Sequence, residues 1–233
     1  MTQNGGSGSG FRDGNVRTPS DFQNSTGVSR ETLDALVTYA TLLEKWQKRI
    51  NLVGPKTVAD LWSRHFLDSA QLVSLIPPGA DRLVDLGSGA GFPGLVLCIL
   101  TGLETHLIES DTRKCAFLRE AGRAAGVSSR LTVHARRAES IELPPADVVT
   151  ARALAPLPEL LALAAPFWGA ETLGLFLKGK RYEEELTAAK YGWYINYSTI
   201  PSRVDPESVI LSITGLRQAP GADPEGEGAG RKG

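Results

Sequence analysis

A glycine-rich loop is the segment of this sequence best suited to holding a ligand. Residues 83–94 read LVDLGSGAGFPG, an apolar run followed by three alternating glycines, Gly87, Gly89 and Gly91. Glycine lets the backbone adopt positive φ and approach a ligand closely, because no Cβ stands in the way. The loop therefore predicts a nucleotide-type ligand, and the alternative is a tight turn between a strand and a helix that holds nothing.

The spacing of the glycines and the acid before them narrow the choice of ligand. A dinucleotide-binding loop reads GxGxxG, whereas this loop reads GxGxG and follows Asp85. A carboxylate there would repel a pyrophosphate, but it could accept hydrogen bonds from the ammonium of a methionine moiety or hold a bridging water. The chemistry therefore favours S-adenosylmethionine over NAD.

Charged residues at the ends of later strands could complete such a site. Glu109 stands 22 residues beyond Gly87 (109 minus 87), where a carboxylate in such folds accepts ribose hydroxyls; alternatively, it favours a helix N-terminus together with Asp111. Glu139 follows the third predicted strand and could take an adenine amino group, or it is an exposed loop acid. Arg152 follows the fourth strand and could pair with a cofactor carboxylate, an acid of the site or an RNA phosphate, unless it faces solvent.

A histidine and an aspartate lie upstream at helical spacing. His65 and Asp68 are three residues apart and share one face of a predicted helix. The residues alone favour a packed or surface histidine and an acid that anchors the helical cap to the domain.

Two kinds of periodicity predict the elements that position these residues. Apolar residues recur at helical spacing in residues 31–50 and 58–75. Short apolar runs then alternate with helical stretches, which is typical of βαβ units around a parallel sheet. The predicted strands are 82–86, 104–108, 131–135, 147–151, 172–177, 193–200 and 209–214, and the predicted helices among them are 93–101, 113–126, 158–167 and 182–190. The short link between the last two strands predicts that they pair antiparallel at the end of the sheet.

Length and composition fit one α/β domain with short appendages. The chain has 233 residues, of which 42% are hydrophobic and 22% charged, which suffices for one core of ordinary size. Both ends are rich in glycine and polar residues, so we expect disordered tails at 1–28 and 218–233, a helical cap at 29–80 and an S-adenosylmethionine-binding catalytic domain at 81–217. No signal segment or run of roughly 20 apolar residues is found, which predicts a cytoplasmic protein.

The cysteines and the charge distribution give weaker signals. Cys98 and Cys115 have neither CxxC spacing nor a nearby histidine cluster, so we expect core packing rather than a disulfide or a metal site. The net charge of −1 decides nothing about nucleic acid, because the distribution over one face matters. Local clusters supply the candidates for RNA contact, although a solvated surface would give similar runs: Arg113, Lys114, Arg123, Arg136 and Arg137.

Several of these segments together resemble one bacterial enzyme family. They are residues 51–53, the segment 64–69 (RHFLDS), the glycine loop, residues 137–139, residues 152–153 and residues 177–179. Taken together, they look like the small-subunit rRNA guanine-N7 methyltransferases called RsmG or GidB, over about residues 29–215. Arg136 departs from the small residue usual in the family, and Gly54 and Pro55 fall in a variable place; neither disturbs the cofactor assignment.

The resemblance implies a fold, a reaction and a set of site residues. The fold would be a Rossmann-like class I methyltransferase fold, with a seven-stranded, mostly parallel sheet and an N-terminal helical cap. The reaction would be methyl transfer from S-adenosylmethionine to N7 of a guanine in 16S rRNA, guanine 527 in standard rRNA numbering. Matching cofactor positions are Gly87, Phe92, Ala138, Glu139 and Arg152, to which the strand-end residues above add Asp85, Gly89 and Glu109. His65, Asp68, Arg152 and Lys178 are the candidates for positioning the substrate.

The expected reaction assigns no acid or base. Guanine N7 carries an in-plane lone pair and no proton at neutral pH, so in-line displacement at a sulfonium needs proximity and orientation rather than proton abstraction. Phe92 or Trp62 could stack on the base, with packing as the alternative. The expected partner is 16S rRNA or a small-subunit particle, bound by a monomer without membrane, DNA or metal.

Three other functions remain open on the residues alone. A methyltransferase for a small molecule would use the same loop, with the N-terminal helices as a roof. A noncatalytic RNA-binding module could keep the fold without cofactor affinity. A nicotinamide oxidoreductase is disfavoured by the glycine spacing.

Overall fold

Seven strands form one sheet in the computed structural model, which describes residues 16–220. Their order is β3-β2-β1-β4-β5-β7-β6, and the first five run parallel. This arrangement confirms the predicted Rossmann-like, mostly parallel seven-stranded sheet. The strands are β1 (Arg82–Leu86), β2 (Glu104–Glu109), β3 (Leu131–Ala135), β4 (Val148–Arg152), β5 (Leu173–Lys178), β6 (Trp193–Pro201) and β7 (Val209–Gln218).

Helices follow most strands and cover the two faces of the sheet. Strands β1, β4 and β5 are buried along nearly their whole length, as expected for parallel strands with helices on both sides. The helices are α1 (Pro19–Thr26), α2 (Arg30–Gln47), α3 (Asp68–Ala70), α4 (Gly94–Thr101), α5 (Thr112–Ala124), α6 (Leu157–Ala164) and α7 (Tyr182–Ala189). None of the helices within residues 16–220 has the length and apolar character needed to span a bilayer.

The last two strands pair as predicted. Strand β7 lies between β5 and β6 and runs antiparallel to both. The link between β6 and β7 contains only residues 202–208, too few for a helical crossover. This short link lies at the same edge of the sheet as the functional residues described below.

The expectation of a disordered tail over residues 1–28 is wrong for its last third. Helix α1 begins after Thr18, whose side chain accepts from the Asp21 N–H while the Asp21 carboxylate accepts from the Thr18 N–H. Phe22 is fully buried against Trp62 and Phe66. One well-capped turn and one aromatic anchor outweigh the polar composition. The remainder of that tail, residues 1–15, and residues 221–233 lie outside the described part of the chain.

The prediction of one regular helix over residues 58–75 is also wrong, because this segment forms several short helical pieces. A 3₁₀ segment Pro55–Asp60, a π-helical turn Trp62–Leu67, α3 and a 3₁₀ turn Val73–Leu75 replace one regular helix. Stacking of Trp62 on Phe66, with ring centroids 4.5 Å apart, fills the widened turn. Wide turns of this kind recur at functional sites, and this one carries His65.

The elements before β1 pack on the rest of the protein through two hydrophobic clusters, the second of which joins Leu72 to the strands. Side chains of α1, α2 and the π-helical turn join those of α4 and α5 in the first cluster. Tyr39 of α2 is fully buried there, and its hydroxyl donates to the carbonyl of Ala90 in the glycine loop. Cys98 and Cys115 are free thiols buried in the core, which confirms that they are packing residues.

Candidate functional site

A cavity of about 550 Å³ opens at the carboxyl ends of β1, β2 and β4. Open parallel sheets bind ligands at this edge, where the strand order reverses on either side of β1. The wall contains seven of the eight residues predicted to bind a cofactor. They are Gly87, Gly89, Phe92, Glu109, Ala138, Glu139 and Arg152.

The glycine loop turns sharply beneath this cavity. Gly87, Gly89 and Gly91 all have positive φ, between 56° and 96°, a region that side chains with a Cβ rarely adopt. The Ser88 N–H donates to the Ile108 carbonyl at 3.0 Å, which ties the loop to β2. A Cβ at Gly87 would collide with Leu154, and one at Gly91 with Tyr39 and Leu95, so among the three it is at Gly89 that the backbone lies open toward the cavity.

Glu109 holds the loop as well as lining the cavity. One carboxylate oxygen accepts from the Gly89 N–H at 2.9 Å, and the other accepts from the Asp111 N–H at 2.8 Å. Each oxygen keeps a second lone pair, so ribose hydroxyls could still donate to it. Asp111 caps α5 by accepting from the Arg113 N–H, which agrees with the helix-terminal alternative for that residue.

Asp85 lies behind the loop rather than in the cavity wall. Its side chain is fully buried, and its Oδ1 accepts from the Thr150 hydroxyl at 2.7 Å. Its Oδ2 is buried without a hydrogen-bond partner among the described residues. The arrangement therefore does not bring Asp85 to the cavity surface as expected for direct contact with a ligand. Burial raises the pKa of this carboxyl from 3.8 to about 6.

The raised pKa of Asp85 predicts a pH-dependent stability. The folded chain holds the proton of the Asp85 carboxyl more tightly than the unfolded chain. The contribution of this proton to the free energy of unfolding is therefore fully present below about pH 4 and is lost as pH rises through about 6. The loss is on the order of 3 kcal/mol. Asp85→Asn should remove it, so the free energy of unfolding of the variant relative to the native protein should rise between pH 4 and pH 7 in urea titrations.

Asp147→Asn serves as the control with the opposite sign. Hydrogen bonds from the Arg82 and Asp81 N–H groups lower the pKa of Asp147, so its contribution is present above its ordinary pKa and lost in acid. That variant should be destabilised most at neutral pH. If the free energy of unfolding depends on pH equally in the native protein and in Asp85→Asn, the pKa of Asp85 is not raised in the folded protein.

Phe92 forms the floor between the cavity and the N-terminal elements. Its ring is almost fully buried and packs against Tyr39, His65 and Phe66 at centroid distances of 5.0–5.5 Å. Trp62 is buried in the same cluster. Both rings pack within the protein, so the packing alternative holds for Trp62, while Phe92 also lines the first cavity.

Arg152 joins the end of β4 to the wide turn. Its guanidinium donates to the Arg64 carbonyl at 3.1 Å, to Asp68 Oδ2 at 3.3 Å and to His65 Nδ1 at 2.8 Å. Its Cζ also lies 5.0 Å from the centre of the Phe92 ring. His65, Asp68 and Arg152 thus meet, as their assignment to one site required, and Arg152 does not face solvent.

The hydrogen bonds of His65 fix its charge and tautomer. Arginine only donates, so Nδ1 of His65 accepts from Arg152 and Nε2 carries the proton that bonds Thr57 Oγ1 at 2.8 Å. The Thr57 hydroxyl in turn donates to the Gly54 carbonyl. Burial, reinforced by the charge of Arg152, lowers the pKa of His65 to about 3. His65 is therefore neutral, with no free lone pair to accept a proton.

A second cavity of about 490 Å³ adjoins the first. The two share His65, Arg152, Ala153 and Leu154 as a common wall. Ala153 has φ 51°, which costs a non-glycine residue free energy and is typical of functional loops. The wall between the cavities is thus a shaped turn that immediately follows Arg152.

Lys178 supports this turn from the next strand. Its ammonium donates to the Ala155 carbonyl at 2.9 Å and to Glu185 Oε2 at 2.7 Å, and the same oxygen accepts from the Leu157 N–H. Lys178 lines the second cavity, but its donors already hold the loop between β4 and α6. Its position fits the support of a substrate site better than capture of a phosphate.

The predicted RNA-contacting residues divide into two groups. Lys114, Arg136 and Arg137 line the mouth of the first cavity beside the exposed Glu139. Arg113 is exposed and pairs with Asp111 at 3.4 Å, while Arg123 lies in the last turn of α5 away from both cavities. The structure thus brings three of the five cations together at one opening.

Sequence reasoning missed part of the cavity wall. Leu52 and Val53 line it from the segment after α2, and Gln47 fixes that segment by accepting from both of their N–H groups and donating to the Val53 carbonyl. A single glutamine at the end of an amphipathic helix gives no signal of this role, because the contact depends on how the chain turns back.

Solved structures with the same fold are methyltransferases of low sequence identity. A TehB-like SAM-dependent methyltransferase from Corynebacterium glutamicum matches with a TM-score of 0.52 and 15% identity, over 77% of this chain and 98% of that one. The glycopeptide N-methyltransferase MtfA, complexed with S-adenosylmethionine, matches with a TM-score of 0.55 and 11% identity, over 65% and 94%. Likeness at this identity concerns the fold alone.

Closer relatives come from the sequence. The family model GidB, described as rRNA small subunit methyltransferase G, matches residues 32–205. Proteins named ribosomal RNA small subunit methyltransferase G from Rhodospirillum centenum and Rhodospirillum rubrum are 56% and 51% identical to this chain. The alignments cover 83% and 87% of this chain and 89% and 100% of the relatives. This chain belongs to the GidB family of rRNA small subunit methyltransferase G proteins.

Proposed function

We propose that this protein transfers a methyl group from S-adenosylmethionine to N7 of a guanine in small-subunit rRNA. The observation that carries the proposal is the pair of adjoining cavities, which share a wall built around Arg152 and a neutral His65. One cavity suits the donor and the other suits the acceptor base. We propose guanine 527 of 16S rRNA as the target, since the sequence resembles the guanine-N7 methyltransferases of that family, and the cytoplasm, where ribosomal particles are made, as the place of the reaction.

The first cavity fits S-adenosylmethionine in size and in its hydrogen-bonding groups. Its volume of about 550 Å³ lies within the range for nucleotide-sized ligands. Glu109 keeps lone pairs for ribose hydroxyls, Glu139 can accept an amino hydrogen of adenine, and Ala138 adds an apolar contact. When bound, S-adenosylmethionine supplies a methyl group activated by its sulfonium. Glycine backbone of the loop leaves room for the rest of the molecule.

The residues on the shared wall orient and shield rather than move protons. Guanine N7 attacks through a lone pair already free at neutral pH, so its reaction needs no base. His65 donates to Thr57 and accepts from Arg152, which leaves it no capacity to take a proton. Arg152 and the turn at Ala153 can hold the acceptor base in line with the methyl group and keep water out, as a proximity mechanism requires.

The absence of a base predicts the behaviour of His65→Ala. Methyl transfer at saturating RNA should persist, and any defect should appear mainly in KM, because the side chain supports Arg152 rather than the chemistry. The profiles of kcat against pH from 5.5 to 9 should run parallel in the native protein and the variant. A loss of about 100-fold or more, together with a pH step that vanishes in the variant, would identify His65 as a general base and contradict the N7 assignment.

RNA binding should depend on the cations at the mouth of the first cavity. In the Arg136→Ala, Arg137→Ala double variant, the plot of log affinity against log salt should be less steep, by the amount that corresponds to about two phosphate contacts. Cofactor affinity should stay largely intact. Arg123→Ala is the matched control, since Arg123 is exposed but lies away from the cavities. Fluorescence anisotropy with labelled rRNA measures both slopes. Equal slopes for the double variant and the native protein would place the RNA surface elsewhere.

Transfer of label from tritiated S-adenosylmethionine tests the proposed function. Unmodified small-subunit particles should acquire label that follows the rRNA, and turnover should require the RNA. Label in small molecules of a cell extract but not in RNA would favour the small-molecule alternative. Binding of RNA without cofactor affinity would favour a noncatalytic module, and both results would overturn the proposal.

A further inference from the structure

Three carboxylates of residues 16–220 line the second cavity, and Asp68 and Glu185 each accept hydrogen bonds that hold separate elements of its wall together. Asp68 has one oxygen near Arg152, and its other oxygen accepts from Gln71 Nε2 at 2.8 Å. Glu185 Oε2 receives two hydrogen bonds, as described above. These two groups therefore build the cavity wall. The third carboxylate belongs to Asp205, in the link between β6 and β7.

Asp205 offers an oxygen to this cavity. Its Oδ1 accepts from the Glu207 N–H at 3.0 Å, while its Oδ2 lies 3.9 Å from the guanidinium of Arg64. That ion pair is long, and the Arg64 side chain is half exposed, so it contributes little. Asp205 lines the second cavity but not the first. In the sheet order β4-β5-β7, the link before β7 that carries Asp205 lies two strands from Arg152 at the end of β4, across the second cavity from the shared wall.

The link that carries Asp205 is fixed to the cap. Gln71 Oε1 accepts from the Arg203 N–H at 3.0 Å, and Gln71 Nε2 lies 3.4 Å from the Ser202 hydroxyl. Gln71 is buried and also binds Asp68. The Ser202 and Ser208 backbones bond across the base of the link at 3.0 Å. The position of Asp205 relative to the shared wall is thus fixed by hydrogen bonds, as specific recognition of a substrate requires.

We infer that the second cavity binds the acceptor guanine and that Asp205 reads its N1–H and exocyclic amine; this inference rests on the proposed function. In guanine, N7 lies on one edge of the purine, and the N1–H and amino donors lie on the opposite, Watson–Crick edge. A base that presents N7 to the shared wall directs those donors toward the far side, where Asp205 lies. A carboxylate accepts both of them, and flipped bases are commonly read on this edge.

The same contact excludes adenine. Adenine carries a lone pair at N1 in place of the N1–H donor and no amine at C2, so a carboxylate placed for these two donors would face the N1 lone pair and lose both hydrogen bonds. Asp205 therefore selects guanine among the bases that carry an N7 atom. This selection acts on the Watson–Crick edge of the base, away from N7. It is therefore independent of the methyl transfer itself, which needs no proton acceptor near N7.

Inosine in place of guanosine isolates this contact, because it lacks only the exocyclic amine. The substrates are small-subunit particles reconstituted with rRNA that carries guanosine or inosine at the methylated position. The native protein should prefer guanosine by about 10- to 100-fold in kcat/KM, the effect of one hydrogen bond to a charged acceptor. Asp205→Ala should lower kcat/KM for guanosine and bring the guanosine-to-inosine ratio close to one. Asp205→Asn, which keeps the shape of the side chain, should also reduce the ratio.

Glu207→Ala is the matched control, since it removes an exposed carboxylate from the same link, and this residue does not line the cavity. Its ratio should equal that of the native protein. A native ratio that persists in Asp205→Ala, or in Asp205→Asn if the alanine variant fails to fold, would overturn the assignment of Asp205 while leaving the methyltransferase reaction in place. A native protein that does not methylate guanosine at N7 would instead overturn the proposed function and this inference with it.

Discussion

Replacing Arg152 by methionine is expected to lower kcat/KM for rRNA methylation by about 100-fold or more. Methionine can still cover the Phe92 ring, but the hydrogen bonds to Arg64, Asp68 and His65 are lost. Burial already raises the pKa of Asp68, and Arg152 opposes that shift. Truncating one partner of a buried, hydrogen-bonded charge typically costs 2–5 kcal/mol, and here the loss falls on the wall between the two cavities.

Arg217→Met provides the matched control for this substitution. Arg217 also stacks on an aromatic ring, with its Cζ 4.9 Å from the centre of Tyr194, but it is exposed on β7 and lines neither of the two cavities. Methylation rates of both variants with small-subunit particles, with folding checked by circular dichroism, give the comparison. Native activity in a folded Arg152→Met protein would show that Arg152 is not part of the site.

The second large effect is expected for Gly89→Val, which should weaken S-adenosylmethionine binding by at least about 100-fold while the fold persists. Within residues 16–220, a Cβ at Gly89 would meet only the Gly87 carbonyl, at 3.8 Å, so this part of the protein has space for it. That space belongs to the first cavity, where we expect the ligand to contact the backbone of the glycine loop. The positive φ of 56° adds a folding cost of about 1–2 kcal/mol.

Gly94→Ala separates a steric effect on the ligand from one on the fold. A Cβ at Gly94 would lie 2.5 Å from the Asp85 Cβ and 2.6 Å from Leu107 Cδ2, both buried. This variant should lose about 1–3 kcal/mol of stability through overpacking. Calorimetry with S-adenosylhomocysteine should therefore separate the two variants: affinity should fall in Gly89→Val and stay close to native in Gly94→Ala, although urea unfolding should show a loss of stability in both. Native affinity in a folded Gly89→Val protein would remove the glycine loop from the binding site.

The sheet could be predicted because its signals are local. Each strand is a short apolar run bounded by turn residues, and the link of residues 202–208 is too short to cross the sheet. Helix α1 was not predicted, because it is held by contacts of Phe22 with Trp62 and Phe66, which lie about 40 residues later in the chain. Segment 58–75 has helical spacing in its apolar residues, but its backbone forms 3₁₀ and π-helical turns that periodicity does not reveal.

The candidate site divides in the same way. The glycine loop, Glu109 and Arg152 follow directly from their places at strand ends, and all line the first cavity. The burial of Asp85 depends on Gly94 and Leu107 packing above it, which no spacing in the sequence shows. The second cavity is assembled from four separate segments, so Asp205 has a role only after the link between β6 and β7 meets the cap. Long-range contacts of this kind leave no local pattern.

Mapping of the methylated nucleoside tests the central claim most directly. Small-subunit particles without the modification are incubated with the protein and tritiated S-adenosylmethionine, and the rRNA is digested to nucleosides and separated by chromatography with mass detection. The account predicts label in 7-methylguanosine, at a single position in the rRNA, and about 100-fold less label or below when the Arg152→Met variant is used for the same time. Label in any other nucleoside, or no transfer to rRNA by the folded native protein, would contradict it.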